Sequence, residues 1–153
     1  SRARLVPDII RNLSTSQKLQ IRNPEAVRPW QHVLEPINGY LMLAEKLWRQ
    51  PEYAGPYNFG PDDDVIKSVR DVVEATKLYI PDIDVEYERE KANIRETDYL
   101  RLQISKAQDI LGFRPKWPFD RAIRHTLMWY VGYLANEDAS LLCLNDFRAF
   151  ELE

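Results

Sequence analysis

Two arginines, a tryptophan and one of the chain's two histidines fall within RNPEAVRPWQHVLEP, Arg22 to Pro36. Arg28 precedes Pro29, which restricts its backbone to extended conformations, and Trp30 follows to pack nearby. A guanidinium held in this way offers a planar fork of donors to a phosphate or carboxylate, or else it makes a surface salt bridge. His32 has the imidazole of a general base, yet no serine, cysteine or acid is spaced to complete a triad. Beside Trp30 and Val33 it reads as a packed, hydrogen-bonded side chain. Tyr99 and Arg101 share one face of YLRLQI, where a hydroxyl and a guanidinium converge on one anion or simply meet solvent. Glu35, just before Pro36, suits the positive end of a helix, and Asp62, Asp63 and Asp64 suit another helix start better than a metal. Neither G-x-G-x-x-G nor a phosphate-loop motif occurs. The local chemistry is that of an anion-binding α/β domain.

The elements that must position these groups belong to a chain of 153 residues, 44% hydrophobic, enough for one domain with its own core. Its 21 basic and 24 acidic residues give a net charge of -3, and no lysine or arginine run forms the stripe that a phosphate backbone needs. Nucleic acid is excluded as an expected partner. The longest apolar stretch, LMWYVGYLA, is far shorter than the roughly 20 residues that cross a bilayer, so a soluble, cytoplasmic protein is expected. Cys143 is the sole cysteine, which excludes an internal disulfide and a zinc site built on cysteine pairs.

Helical spacing of Leu5, Val6, Ile9, Ile10 and Leu13 predicts a first helix, with Pro7 in its first turn. KLQIRNP predicts a strand with Leu19 and Ile21 on one face. Ile37, Tyr40, Leu41, Ala44, Leu47 and Trp48 form the expected buried stripe of a second helix, ended by Pro51. YNFG, Tyr57 to Gly60, is expected as a short strand, and Val65 to Ile80 as a helix opened by the acids before it. IDVEYE and YLRLQI alternate as strands, the latter with Leu100, Leu102 and Ile104 inward, and the polar EREKANIRETD between them is expected as a loop. Ser105 and Gln108 match a capping box, and Gly112 suits a helix C-terminus. A long helix from about Asp120 and a last helix packing by Leu142, Phe147 and Phe150 close the chain. Short strands among helices predict a mixed α/β fold in which βαβ alternation is incomplete. Four residues make a poor independent strand, so YNFG is expected to complete a sheet whose other members lie elsewhere.

In order and spacing, RLVPDIIR, IRNPEAVRPWQHVLEPINGYLMLAEKL, YNFGPDD and ETDYLRLQISKAQDILGFRPKW resemble the C-terminal part of CDP-glucose 4,6-dehydratases. These are enzymes of the extended short-chain dehydrogenase/reductase superfamily. The resemblance runs from Arg4 to about Tyr130 and is most specific in RNPxAxRPWQHVLEP. Relatives have a histidine-containing stretch before the segment like ETDY, whereas ANIRETDY has Arg95. The resemblance implies a substrate-binding lobe plus the last strand and helices of a Rossmann sheet. The N-terminal half, which binds NAD and carries a catalytic Tyr-x-x-x-Lys pair, is expected to be absent from this chain. No catalytic residue is therefore expected here, and the chain alone is expected to be inactive.

Carried over by position, the resemblance places Arg4, Leu5 and Pro7 on the helix bordering the nucleotide and Ile21 and Arg22 beside the base and ribose. It places Arg28 on the diphosphate, and Glu96 and Tyr99 in the segment that closes over the nucleotide. The implied ligand is CDP-glucose, and the implied partner is an N-terminal Rossmann half or a second copy. Two alternatives stand beside this: a non-catalytic nucleotide-sugar-binding module, and part of a related sugar-nucleotide epimerase or dehydratase.

Overall fold

The computed structural model describes residues 4–15, 18–62, 65–87 and 99–153. In chain order these form α1 (Leu5–Thr15), β1 (Leu19–Ile21), α2 (Leu34–Arg49), a short 3₁₀ turn (Pro51–Tyr53), α3 (Val69–Lys77), β2 (Val85–Tyr87), α4 (Ser105–Leu111), α5 (Phe119–Leu134) and α6 (Ala139–Glu151). The fold is mixed α/β, as its sequence predicts. EREKANIRETD, together with Asp63 and Asp64, lies outside the described residues.

β1 and β2 pair in parallel, with Leu19 opposite Val85 and Ile21 opposite Tyr87. A parallel pair needs a long crossover, and here α2 and α3 lie within it. Alternation does its work in β1: Leu19 and Ile21 are buried while Gln20 is exposed. They join Ile9 of α1, Val72 and Val73 of α3, Ile83, and Phe119, Ile123 and Leu127 of α5 in one core. Each such aliphatic side chain contributes about 1.5–3 kcal/mol by leaving water.

α3 begins later than the acids suggest. Ser68 is its N-cap, its hydroxyl accepting from the Asp71 amide while Asp71 accepts from the Ser68 amide. This reciprocal box satisfies two orphan donors of the helix start, which a free aspartate run does not. At α4 the expected box fails, because Ser105 is already helical and the cap, Ile104, makes no side-chain bond. Gly112 does end α4 in the left-handed region, at φ 70°.

Two expected strands are not formed among the described residues. YNFG joins no ladder, and packing fixes it instead: Phe59 sits edge-on to Phe113 with centroids 5.1 Å apart, in a second core with Ile104 and Ala107. YLRLQI makes one isolated bridge, Tyr99 to Val27, and Leu100 faces solvent while Ile104 is buried. A strand needs a ladder partner, and alternation by itself supplies none.

α2 is amphipathic with its apolar stripe turned outward. Tyr40, Leu41 and Trp48 are 61%, 66% and 90% exposed, whereas Leu34, Gly39, Met42 and Leu43 face the protein. Gly39 is required there, since a Cβ would lie 2.3 Å from the Phe59 ring. α5 buries Ala122, Ile123 and Leu127 but exposes Val131 and Leu134. In α6, Phe150 is buried with Leu34 and Trp117, while Phe147 stays exposed.

Candidate functional site

A cleft of about 790 Å³ opens between α1, β1 and the segment after it. From α1 come Leu5, Asp8, Arg11, Asn12 and Thr15, which the helical period sets on adjoining strips of one face. Lys18, Ile21 and Arg22 come from β1 and its flanks, and Arg28, Trp30 and Val69 close the far side. Four cations, Arg11, Lys18, Arg22 and Arg28, thus border the cleft against one carboxylate, Asp8. Asp8 already accepts from Arg11 and from the Arg4 amide, and Lys18 lies 3.9 Å from Asp84. Among the described residues, a lining of this kind suits an anion, since charge-assisted bonds to a guanidinium are the strong ones.

The segment carrying Arg28 is pinned on two sides. Val27 bridges Ser68 on one side and Tyr99 on the other. The Arg28 amide donates to the Lys67 carbonyl at 3.3 Å, the Trp30 indole to the same carbonyl at 3.1 Å, and the Leu100 amide to the Val27 carbonyl at 3.1 Å. Arg28 is half-buried, and its Nη1 donates to the Val27 carbonyl at 2.6 Å. Pro29 has no N–H to share in this backbone pairing, and the clash of its Cδ with the preceding residue disfavours a helical Arg28.

Of the residues the sequence singles out, Leu5, Ile21, Arg22 and Arg28 meet in this cleft. Arg4 and Pro7 lie on α1 or just before it, exposed and outside the lining. Tyr99 is 51% exposed and borders neither this cleft nor the smaller one. Arg101 borders that smaller crevice with Arg28, Asp62 and Leu102; at about 10 Å³ it holds no more than a water. Tyr99 and Arg101 therefore do not converge on one anion. Glu96 lies outside the described residues. Sequence reasoning missed Arg11, Asn12 and Lys18. The period of α1 carries the signal for Asn12 alone, because Leu5, Asp8 and Asn12 follow each other at helical spacing.

Behind the cleft, His32 is buried, and its Nδ1 accepts from the Leu34 amide at 3.3 Å. It is a packed histidine and makes no approach to the cleft lining. Burial holds its pKa below the ordinary value, against the pull of Asp146. Glu35 is not a helix-end charge in solvent. It is 1% exposed and accepts from the Trp117 amide at 2.7 Å and the Lys116 amide at 3.0 Å. Burial raises its pKa, and those two amide bonds only partly oppose the rise.

The one Tyr-x-x-x-Lys spacing in the chain runs from Tyr87 to Lys91, and Lys91 lies outside the described residues. Burial, and then a bond to Glu74, raise the pKa of the Tyr87 hydroxyl, the opposite of what an acid–base tyrosine needs. NAD, which the resemblance implies for the whole enzyme, finds no glycine-lined phosphate cradle among the described residues of this chain. None of the five glycines borders the cleft, and Gly39 and Gly132 are packed against side chains rather than open to a diphosphate. Among the described residues, no group of three or more His, Cys, Asp or Glu side chains could hold a metal ion. No helix among them is long and apolar enough to cross a membrane.

No protein-family model matches the chain. A CDP-glucose 4,6-dehydratase of Salmonella typhimurium is 36% identical over 142 residues, which cover 92% of this chain and 39% of that protein. The dTDP-glucose 4,6-dehydratase of Bacillus anthracis, solved with NAD, superposes with a TM-score of 0.64 at 21% identity, over 83% of this chain and 39% of that one. The UDP-glucose-4-epimerase of Stenotrophomonas maltophila, solved with NAD and formylated UDP-arabinopyranose, gives 0.72 at 16% identity, over 88% of this chain and 41% of that one. An NAD-dependent NDP-hexosamine 5,6-dehydratase of tunicamycin biosynthesis gives 0.66 at 23% identity, over 90% and 42%. The chain thus has the fold of about two fifths of the sugar-nucleotide dehydratases and epimerases on which it superposes, and its sequence is similar to that of a CDP-glucose 4,6-dehydratase.

Proposed function

We propose that this chain is the nucleotide-sugar-binding part of an NAD-dependent CDP-glucose 4,6-dehydratase, a lyase that forms CDP-4-keto-6-deoxyglucose. The observation that carries this is the cleft, bordered among the described residues by four cations and one carboxylate, in a chain whose sequence is similar to that enzyme. A nucleoside diphosphate sugar brings about two negative charges, which Arg28 and Arg22 are placed to take up, each charge-assisted bond contributing about 1.5–3 kcal/mol. Leu5, Ile21 and Trp30 supply apolar surface beside them for the nucleoside. Arg4, Pro7, Glu96 and Tyr99 are proposed as further contacts of the nucleotide sugar. Redox chemistry at the sugar requires the nicotinamide, which a further NAD-binding part would hold. This chain alone binds and does not turn over.

A second possibility is part of a related epimerase, favoured by the TM-score of 0.72 to a UDP-glucose-4-epimerase. Calorimetric competition among CDP-, UDP-, dTDP- and GDP-glucose separates the two. Preference for CDP-glucose supports the dehydratase. Preference for another base removes it, and tight CDP-glucose binding without any turnover in a polypeptide that also holds the NAD-binding part points to a non-catalytic module.

A further inference from the structure

Both histidines of the chain converge on one carboxylate, Asp146 of α6, an arrangement that no step of the proposed binding uses. His125 of α5 has its Nδ1 2.7 Å from Asp146 Oδ1, and His32 has its Nε2 3.8 Å from Asp146 Oδ2. The Trp117 ring lies against both imidazoles, with centroids 4.8 Å from His32 and 4.1 Å from His125. The other charged groups around the cluster are Lys116, whose Nζ donates to the Phe150 carbonyl, Arg121 over the Trp117 ring, and Glu35 beneath the Lys116 and Trp117 amides.

The hydrogen bonds fix the tautomers. His32 Nδ1 accepts from the Leu34 amide, so it carries no proton, and the proton of the neutral ring stands on Nε2, facing Asp146. At 3.8 Å the second contact acts electrostatically rather than as a hydrogen bond. A His32 protonated at Nδ1 would set two donors against each other at Leu34 and leave a buried amide unpaired. His32 closes the segment that begins at Arg28. That segment is tied to Lys67 at Arg28 and Trp30, to Phe59 through Gln31, and to α6 through His32.

We propose that Asp146 is a positioning residue for the cleft: its carboxylate selects the His32 tautomer and, through it, fixes the turn that carries Arg28 and Trp30 into α2. The functional half of this rests on the nucleotide-sugar reading; the tautomer half does not. The test uses the full chain, with ¹⁵N-histidine spectra for the tautomers, amide exchange at Leu34, and calorimetry with CDP-glucose. The wild type is expected to show His32 protonated at Nε2 and His125 at Nδ1. Asp146→Asn keeps its oxygen on His125 at the shorter contact and turns its NH₂ toward His32 Nε2, so His32 changes tautomer. Leu34 then exchanges faster, and CDP-glucose binds about fivefold or more weakly, the range of ordinary coupling between sites. His125→Gln keeps a donor for Asp146 and leaves the His32 tautomer and the affinity as in the wild type, which loss of α5–α6 packing alone would not.

A wild-type His32 protonated at Nδ1 overturns the proposal, including in the case where Asp146→Asn does not fold. An unchanged His32 tautomer, Leu34 exchange or affinity in a folded Asp146→Asn overturns it as well. If the wild type binds no CDP-glucose, the functional reading has failed, and the tautomers and Leu34 exchange still decide the positioning of the turn.

Discussion

Removing the Glu35 carboxylate destabilises the protein by an amount the structure sets. Glu35 is 1% exposed and takes the amides of Lys116 and Trp117, residues far along the chain, so it ties the start of α2 to the start of α5. Glu35→Ala leaves the buried Trp117 N–H unpaired at about 1–3 kcal/mol, with a smaller penalty at the part-buried Lys116 N–H, so a loss of at least about 1–3 kcal/mol is expected. That is a large fraction of the total for a domain of this size. Its charge has a separate signature. The pKa of Glu35 is raised above its ordinary 4.5, chiefly by burial. Between that value and the raised one, the native state holds a proton that the unfolded state has released, so stability falls as pH rises through the window. His32 acts in the other direction. Its lowered pKa means that its contribution is present above the ordinary 6.5 and lost as pH falls. Glu35→Gln keeps His32 and removes only the carboxyl titration. Urea unfolding at a series of pH values, followed by tryptophan fluorescence, should show the wild type losing stability relative to Glu35→Gln as the medium goes from acid to neutral. Parallel pH profiles, or a Glu35→Ala variant within about 0.5 kcal/mol of wild type, would refute the reasoning.

Three further outcomes follow from the same geometry. Gly39→Ala forces a Cβ to 2.3 Å from the Phe59 ring, itself packed against Tyr40, Tyr57 and Phe113, and should cost about 1–3 kcal/mol in denaturant unfolding. Ser68→Ala breaks the capping box of α3 and should cost about 1 kcal/mol, while Ser105→Ala, whose side chain caps nothing, should cost less. Arg28→Ala should weaken CDP-glucose binding in calorimetry by about tenfold or more, with Arg28→Lys recovering only part because an ammonium lacks the planar fork.

Much of the helical content was legible in the sequence, because periodicity and punctuation carry it: Pro51 ends α2's neighbourhood, Gly112 ends α4, and α5 begins within a residue of its expected start. Direction was less legible. A stripe such as Tyr40, Leu41 and Trp48 declares an amphipathic helix, but the identity of the face that meets the protein depends on neighbours; here Gly39, Met42 and Leu43 take that role against Phe59. Strands failed for a related reason. YNFG and YLRLQI have β composition, yet pairing is non-local, and only LQI and VEY find a ladder among the described residues. The S-x-x-D of Ser68 to Asp71 did carry a capping signal, which the more conspicuous aspartates at 62–64 outweighed.

At the candidate site, the Arg-Pro constraint marked Arg28 for an anion, and the structure brings it together with Leu5, Ile21 and Arg22. Arg11 and Lys18 went unread because a single cation on a polar helix face carries no mark of its own; the cleft that groups them exists only once α1 packs on β1. Glu35 and Asp146 were beyond reach for the same cause, since each finds its partners across the fold, at Trp117 and at the two histidines.

Amide and arginine side-chain NMR of the wild-type chain during a CDP-glucose titration tests the binding site most directly. Resonances of Leu5, Ile21, Arg22, Arg28 and Trp30 should shift together along one saturating curve. Saturable shifts clustered on another face, with the Arg28 signals unmoved, would contradict the assignment.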